Sequence, residues 1–224
     1  MLNQAARYYP ILRALKKRGV LKSESVLEIG AGPTGLGQFR KLRFIGCDVL
    51  FPTTPAWPMV PVIASAGALP FRDKSFSVVI ISDVLEHIPA DVRSTIIRES
   101  LRVTREFAVF GFPCGQTAQE SDRKLFEVYT HKGYKPPIWL QEHLLAAFPE
   151  PSIFDDVKRW DITSFGNESI RFHSWMMRME MHRLFNYFIK ASILLVPRLL
   201  ELLLRKMDSP PYYRHIFVLE RAGE

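Results

Sequence analysis

A tight glycine loop that directly follows a short apolar run constrains the fold of this chain more than any other feature. Residues 26–38 read VLEIGAGPTGLGQ, with Glu28 near the end of the run and Gly30, Gly32 and Gly35 in the loop. The run is typical of a buried parallel strand. Glycines at this spacing let the backbone approach a ligand, as at the nucleotide-binding corner of a doubly wound α/β domain. Many nucleotide-binding folds share this pattern, so the following residues must decide between them.

Strand-like and helical segments alternate through the first half of the chain. Strand, helix and strand in alternation imply right-handed crossovers and a mostly parallel sheet. The apolar runs predict strands at residues 42–49, 60–64, 76–82 and 107–112, and helical spacing of apolar residues predicts helices at 8–17 and 90–103.

The second half of the chain departs from this rhythm. Residues 115–135 are polar and mixed, and we expect a mobile segment or lid there. The remaining predicted elements are a helix at 138–148, a strand at 153–160, a helical insertion at 165–208 and a final strand at 212–221. We expect a single domain over residues 1–224, with a ligand-binding core over 23–115, because 224 residues are enough to bury one sizeable core.

Charge and cysteine content limit the classes of partner. The net charge of +7 favours acidic partners such as nucleic acid, an anionic membrane surface or phosphorylated substrates, although a basic enzyme without such a partner fits equally well. Cys47 and Cys114 are too few for a disulfide framework or a zinc cluster, and we expect no metal site. The first residues lack the apolar core of a secretory signal, which favours a cytoplasmic location.

Three further motifs, taken with the glycine loop, identify a family. Asp48 ends the second predicted strand, ALPFRDKSFSVV at residues 68–79 leads into the fourth, and SDVLEHI at residues 82–88 follows it. This set resembles the class I S-adenosylmethionine-dependent methyltransferases, in particular the small-molecule group with a Leu-Pro-Phe segment. The resemblance covers residues 23–115. It implies a Rossmann-like methyltransferase fold with a doubly wound, mostly parallel seven-stranded sheet, a helical insertion before the last strand, and S-adenosylmethionine as cofactor.

The resemblance also implies roles for the loop and for the first two strand ends. The backbone at Gly30, Ala31, Gly32 and Gly35 would approach the methionine and sugar of the cofactor. Asp48 would accept hydrogen bonds from both ribose hydroxyls, a task that suits a carboxylate. Glu28 would orient the cationic methionine end, or alternatively cap free N–H groups of the loop.

Further contacts with the cofactor are expected along the same edge of the sheet. Family members commonly place an acid and a small residue beside the adenine, and Ser65 and Ala66 occupy those positions here. This departure predicts a weaker adenine contact, since a hydroxyl accepts less strongly than a carboxylate. Asp83 is expected to line the methionine side of the cofactor or the substrate entrance.

A histidine is the expected general base if the acceptor is a hydroxyl. His87 is the main candidate because it follows the fourth strand at the carboxyl edge of the sheet, where open α/β folds bind ligands. A packing or helix-capping role is the alternative for His87, and His131 and His143 are further candidates. Residues 30–35 also satisfy the dinucleotide pattern G-x-G-x-x-G, so an NAD(P)- or FAD-binding oxidoreductase is a competing interpretation, although Glu28 and the Leu-Pro-Phe segment have no dinucleotide role.

The insertion carries the only sequence signal about the acceptor. Residues 182–207 place Asn186, Lys190, Arg198, Glu201 and Arg205 on one strip of a helix and apolar residues on the other side. Four charges and Pro197 argue against a membrane-spanning helix. The insertion is therefore expected to form a helical cap, packed either over the active site or against a second subunit in a homodimer. The alternative is that it lies in a membrane interface.

In each case the insertion is expected to offer an apolar wall to the acceptor. We therefore expect a cytoplasmic protein that transfers a methyl group to a small acceptor that is apolar, lipid-linked or of glycan type. If the insertion lies in a membrane interface, the protein is expected to be peripheral at the membrane. A non-catalytic methyltransferase-like protein that serves as a membrane or partner module is the alternative. Nucleic acid is disfavoured because no basic stripe is interleaved with aromatic residues.

Overall fold

A single mixed sheet with helices on both faces forms the molecule. The computed structural model describes residues 1–19 and 25–222. The expected core boundary at residue 23 and the chain end at residue 224 lie outside the described residues. Within them, the sheet has seven strands in the order β3-β2-β1-β4-β5-β7-β6. The strands are β1 (Val26–Ile29), β2 (Phe44–Asp48), β3 (Met59–Ile63), β4 (Phe76–Ser82), β5 (Thr104–Pro113), β6 (Trp160–Ser169) and β7 (Tyr212–Arg221).

The direction of the strands confirms the predicted doubly wound sheet. Strands β1 to β5 pair in parallel, and β7 runs antiparallel to both of its neighbours, β5 and β6. All seven residues of β4 are buried, as its continuous apolar sequence predicts for a central strand covered on both faces. The strand order reverses between β1 and β4, and such a switch point opens a crevice at the carboxyl ends of the strands.

Two apolar layers enclose the sheet. On one face, Ile11 and Leu15 of the first helix pack against the sheet. On the other, Ile96 and Ile97 of the second helix do the same. The helices are α1 (Leu2–Lys17), α2 (Ala90–Val103), α3 (Gly115–His131), α4 (Ile138–Glu142), α5 (Ile170–Met179), α6 (Arg183–Leu195) and α7 (Pro197–Lys206).

Three predictions for the second half of the chain are wrong. Residues 115–135 are not a mobile segment: most of them form α3, whose Asp122 and Leu125 are buried. Residues 153–160 are not a strand, because the first two belong to a 3₁₀ turn at Pro151–Phe154 and β6 begins only at Trp160. The helix expected at 138–148 ends at Glu142.

The insertion consists of α5, α6 and α7, which lie between β6 and β7 as predicted. Pro197 begins a new helix, as expected for a residue that is tolerated in the first turn and excluded from the interior. The insertion packs on α1 through Leu200 and Leu204, whereas the apolar side identified from the sequence is largely exposed. Among the described helices, none has the length and apolar character required to cross a bilayer.

Candidate active site

The glycine loop turns the chain sharply away from β1. Gly30 has φ +71° and Gly32 has φ +55°, in the left-handed region that side chains disfavour. A Cβ at Gly30 would collide with Cγ2 of Val84, so the loop packs directly on the segment after β4. A Cβ at Gly32 would meet no atom within 4 Å. The loop is therefore held by packing at Gly30 and leaves open space at Gly32.

Asp48 fixes the loop from the end of β2. Its Oδ2 accepts a hydrogen bond from the backbone N–H of Gly32 at 2.9 Å, and its Oδ1 accepts one from Val49 at 2.8 Å. The carboxylate borders a cavity of about 460 Å³, which we name the first cavity. This volume is within the range of small-molecule sites. The predicted site residues that line the first cavity are Gly30, Asp48, Ser65, Ala66, Asp83 and His87.

Glu28 lies beneath the loop and outside the first cavity. Its Oε1 accepts a hydrogen bond from the hydroxyl of Tyr8 at 2.6 Å, and its Oε2 accepts one from the backbone N–H of Leu36 at 2.7 Å. Burial raises the pKa of Glu28 to about 7. These contacts are those of the capping role that the sequence left as an alternative. Ala31, Gly32 and Gly35 also do not line the cavity; they form the turn itself.

A second cavity, of about 470 Å³, adjoins the first. Asp83 and His87 line both cavities, so the two meet at the end of β4. About half of the residues that line the second cavity carry charged or imidazole side chains, and Pro113, Trp139 and Met177 add apolar surface. From the insertion it takes only α5 residues and Glu180, and α6 and α7 contribute none of its lining. None of residues 182–207 lines the second cavity, and the apolar wall expected from them toward the acceptor stays a prediction. The principal polar residues of the second cavity are Arg7, Glu86, His143, His173, Tyr213 and Arg214.

Arg214 connects the last strand to the residue that follows the carboxyl end of β4. Its guanidinium, which is 1% exposed, donates from Nε and Nη2 to the two oxygens of Asp83, each at 2.8 Å. Its Nη1 donates to Glu168 Oε2 at 2.8 Å. Burial alone would raise the pKa of Asp83, but Arg214 and Arg7 hold it below its ordinary value. Asp83 is thus a fixed negative charge between the cavities.

A histidine–carboxylate network forms the floor of the second cavity. His143 Nδ1 lies 2.6 Å from Asp122 Oδ2, and the same oxygen accepts a hydrogen bond from Tyr213 at 2.8 Å. His173 stacks on the Tyr213 ring, and its Nδ1 lies 2.7 Å from Glu168 Oε1. Against the effect of burial, His143 and His173 lower the pKa of Asp122 to about 2. The buried network therefore keeps an ionised carboxylate.

Of the three histidines proposed from the sequence, two meet at this site. His87 and His143 have ring centroids 4.8 Å apart, and burial together with His143 lowers the pKa of His87. His131 lies on the exposed side of α3, with its Nδ1 3.1 Å from the Glu127 carbonyl.

The sequence reasoning missed Asp122, His173 and Arg214. Arg214 carried one usable signal, as a charged residue inside a predicted strand that is otherwise mainly apolar.

The comparisons with known proteins agree with this geometry. Residues 27–110 match the family model described as "Methyltransferase domain". A search of curated proteins finds no match. Magnesium protoporphyrin IX methyltransferase from Synechocystis PCC 6803, solved with bound SAH, superposes with a TM-score of 0.53 at 12% identity, covering 99% of this chain and 83% of that chain.

Two further solved structures share the fold. PH0226 protein from Pyrococcus horikoshii OT3 has a TM-score of 0.52 at 12% identity and covers 98% of this chain and 90% of that one. Haemonchus contortus phosphoethanolamine N-methyltransferase 2, solved with S-adenosyl-L-methionine, has a TM-score of 0.53 at 15% identity and covers 96% of this chain, which spans about half (53%) of that longer chain. The matched segment contains the glycine loop, Asp48 and the motif after β4, so residues 27–110 match a methyltransferase domain within a fold that the chain shares with solved methyltransferases.

Proposed function

We propose that this protein transfers a methyl group from S-adenosylmethionine, held in the first cavity, to a small acceptor whose reactive end is polar and lies in the second cavity. One observation carries the proposal: the two cavities meet at Asp83 and His87. Transfer requires donor and acceptor to approach in line, and two adjoining chambers would provide this alignment. S-adenosylmethionine supplies an electrophilic methyl group on a sulfonium centre.

The residues around the first cavity suit the cofactor. Asp48 already accepts two backbone N–H bonds, yet an ionised carboxylate offers about four lone-pair sites, which leaves capacity for the ribose hydroxyls. Ser65 Oγ accepts from the backbone N–H of Gly67 at 3.2 Å, which leaves its hydroxyl proton free to donate to adenine. Glu28 acts indirectly in this proposal, by holding Leu36 and the loop.

His87 is the residue that faces both ligands. Its lowered pKa keeps the imidazole neutral at pH 7, so that a ring nitrogen offers a lone pair toward the acceptor. With a hydroxyl acceptor, that lone pair can take up the proton as the oxygen attacks the methyl group. With an amine acceptor, Asp83 provides a compensating negative charge at the same place.

The exposed side of the insertion supports a lipid-linked acceptor, such as one with a hydroxyl-bearing or glycan head group. This apolar face lies next to basic side chains, including Lys190, Arg198 and Arg205, which would attract an anionic membrane surface. The insertion meets the lining of the second cavity where Asn186 Nδ2 donates to the carbonyl of Glu180. The exposed apolar residues are Leu184, Tyr187, Phe188, Leu194, Leu195, Val196, Leu199, Leu202, Leu203 and Met207.

Calorimetry and turnover test the core of the proposal. The protein should bind S-adenosylhomocysteine with one site per chain. When lipid extracts or hydroxyl-bearing lipids are added, it should convert S-adenosylmethionine to S-adenosylhomocysteine. Absence of binding to the folded protein would refute the assignment of the first cavity. Binding without turnover on any acceptor would favour the non-catalytic alternative.

Flotation with anionic vesicles tests the lipid-linked acceptor. Wild type should float with vesicles containing phosphatidylglycerol and lose this behaviour at high salt, because screening weakens surface charge attraction. Leu199→Ser with Leu203→Ser should reduce flotation, whereas Leu145→Ser, at an exposed position outside the insertion, is the matched control. A protein that stays at the bottom under all conditions, or that forms a dimer abolished by the same two substitutions, would instead favour the cap between two subunits.

A further inference from the structure

Three potential metal ligands converge in the second cavity. Glu86 and His87 are consecutive residues of the 3₁₀ turn at Leu85–His87, and His143 directly follows α4. Each offers one ligand atom, and these atoms all lie within 4.8 Å of one another. We propose that Glu86, His87 and His143 bind one divalent transition-metal ion at the junction of the two cavities. This proposal departs from the expectation, drawn from the two cysteines, that the chain holds no metal.

The polar atoms in this cluster lack partners. Glu86 is 1% exposed, and neither of its carboxylate oxygens has a hydrogen-bond partner within the part of the chain that the structure describes. His143 is 4% exposed, and its Nε2 also has no hydrogen-bond partner among the described residues. A buried polar group without a partner is costly, and a buried carboxylate more so. A bound cation would supply the missing contacts to both residues.

The orientation of His143 is that of a metal ligand. Asp122 Oδ2 lies 2.6 Å from Nδ1 and accepts a hydrogen bond from its N–H. This tautomer leaves the lone pair on Nε2. Tyr213 in turn donates to Asp122, so the carboxylate is itself held in place. Carboxylates that fix the second nitrogen of a histidine in this way are a regular feature of metal sites, because they set the tautomer and increase ligand basicity.

His87 lies on the opposite side, beside a carboxylate but without a hydrogen bond to its Nδ1 among the described residues. Its Nδ1 lies 2.9 Å from Glu142 Oε2, and Glu142 lies on α4 just before His143. The two imidazole rings are tilted by 45° with centroids 4.8 Å apart, rather than stacked in parallel. Two imidazoles and one carboxylate therefore surround the same small volume.

The donor set indicates which ions would bind. Two imidazole nitrogens and one carboxylate oxygen suit Zn²⁺, Fe²⁺, Co²⁺ or Mn²⁺ rather than Ca²⁺ or Mg²⁺, which prefer oxygen ligands alone. Three protein ligands leave coordination positions open toward the second cavity. If the proposed methyl transfer is correct, an acceptor oxygen would occupy one of them, and its hydroxyl pKa would fall. The His87 lone pair would then hold the ion instead of accepting a proton.

Cobalt and zinc titrations test the site without relying on activity. Full-length protein is treated with a chelator, dialysed, and titrated with Co²⁺ by visible absorbance and with Zn²⁺ by calorimetry. We expect one ion to bind per chain. The bound Co²⁺ should show the d–d absorption bands of a low coordination number. Asp122→Asn, which keeps the size of the side chain but removes the charge that His143, Tyr213 and His173 face, should weaken metal affinity by about 10- to 100-fold.

Ligand substitutions and a control complete the test. Glu86→Gln and His143→Gln should lose the Co²⁺ bands, and His131→Gln, at an exposed position of α3, should retain them. Circular dichroism and S-adenosylhomocysteine calorimetry on each variant report folding and the first cavity. A folded wild type that binds S-adenosylhomocysteine but no metal, or Glu86→Gln that binds metal like wild type, would overturn the metal site alone. Metal binding without any S-adenosylhomocysteine binding would instead contradict the proposed function and support the site.

Discussion

Replacing Arg214 with methionine should lower the free energy of unfolding by about 3–5 kcal/mol, because it leaves buried carboxylates without their shared cation. Arg214 donates two hydrogen bonds to Asp83 and one to Glu168, each at 2.8 Å. Methionine is unbranched and fills much of the same volume, so the expected loss comes from the unpaired charges rather than from an empty cavity.

Residual partners set where in that range the loss falls. Arg7 Nη1 lies 3.4 Å from Asp83, and His173 Nδ1 lies 2.7 Å from Glu168. Both carboxylates therefore keep one cationic or imidazole neighbour, which places the expected loss near the lower end, at about 3 kcal/mol.

Urea unfolding monitored by circular dichroism measures this loss as a shift of the midpoint at constant slope. Arg13→Met is the matched control, because Arg13 lies 3.7 Å from Glu201 in a partly exposed pair and its removal should cost at most about 1 kcal/mol. If Arg214→Met loses no more than Arg13→Met, the buried network is not the stabilising contact between β7 and the end of β4.

Three further predictions concern the glycine loop and its supports. Asp48→Ala should weaken S-adenosylhomocysteine binding by about 1.5–3 kcal/mol, the scale of hydrogen bonds to a charged group, with exposed Asp73→Ala unchanged in calorimetry. For Glu28, a folded pKa of about 7 against 4.5 in the unfolded chain means that stability is lost as the pH rises from 4.5 through 7. Urea midpoints across this range should show the decline in wild type and not in Glu28→Gln; parallel curves would disprove it. Gly30→Ala should cost more than about 1 kcal/mol, because a Cβ there meets Val84 at positive φ, and Val84→Ala in the same chain should recover part of that loss in thermal unfolding.

The sequence predicts correctly those parts of the fold that depend on residues close together in the chain. β4 has its predicted bounds because a continuous apolar run between polar turns specifies a central strand on its own. The turns at Gly30 and Gly32 follow from glycine's freedom at positive φ. Asp48 at the end of β2 follows from strand period and chain order.

The polar second cavity depends on partners that are distant in sequence. Asp122 looks like a solvated residue in a polar segment, and only His143 and Tyr213 make its burial tolerable. This explains why α3 was predicted as mobile. The apolar side of the insertion was visible from periodicity, but α1 selects a different side, with Leu200 and Leu204, for packing. No local pattern contains that information.

The placement of β7 between β5 and β6 determines when the site can exist during folding. Asp83 and Arg214 are 131 residues apart in sequence. Closing a loop of that length is entropically costly and slow, so the contact belongs to the late steps of folding. Until the final strand inserts, Asp83 lacks its two hydrogen bonds from Arg214, and Tyr213 and Arg214 are missing from the lining of the second cavity. A chain halted after the family-matched residues 27–110 would contain the glycine loop yet lack the residues near α4, α5 and β7 that line the second cavity, so the proposed methyl transfer would report on completion of the whole sheet.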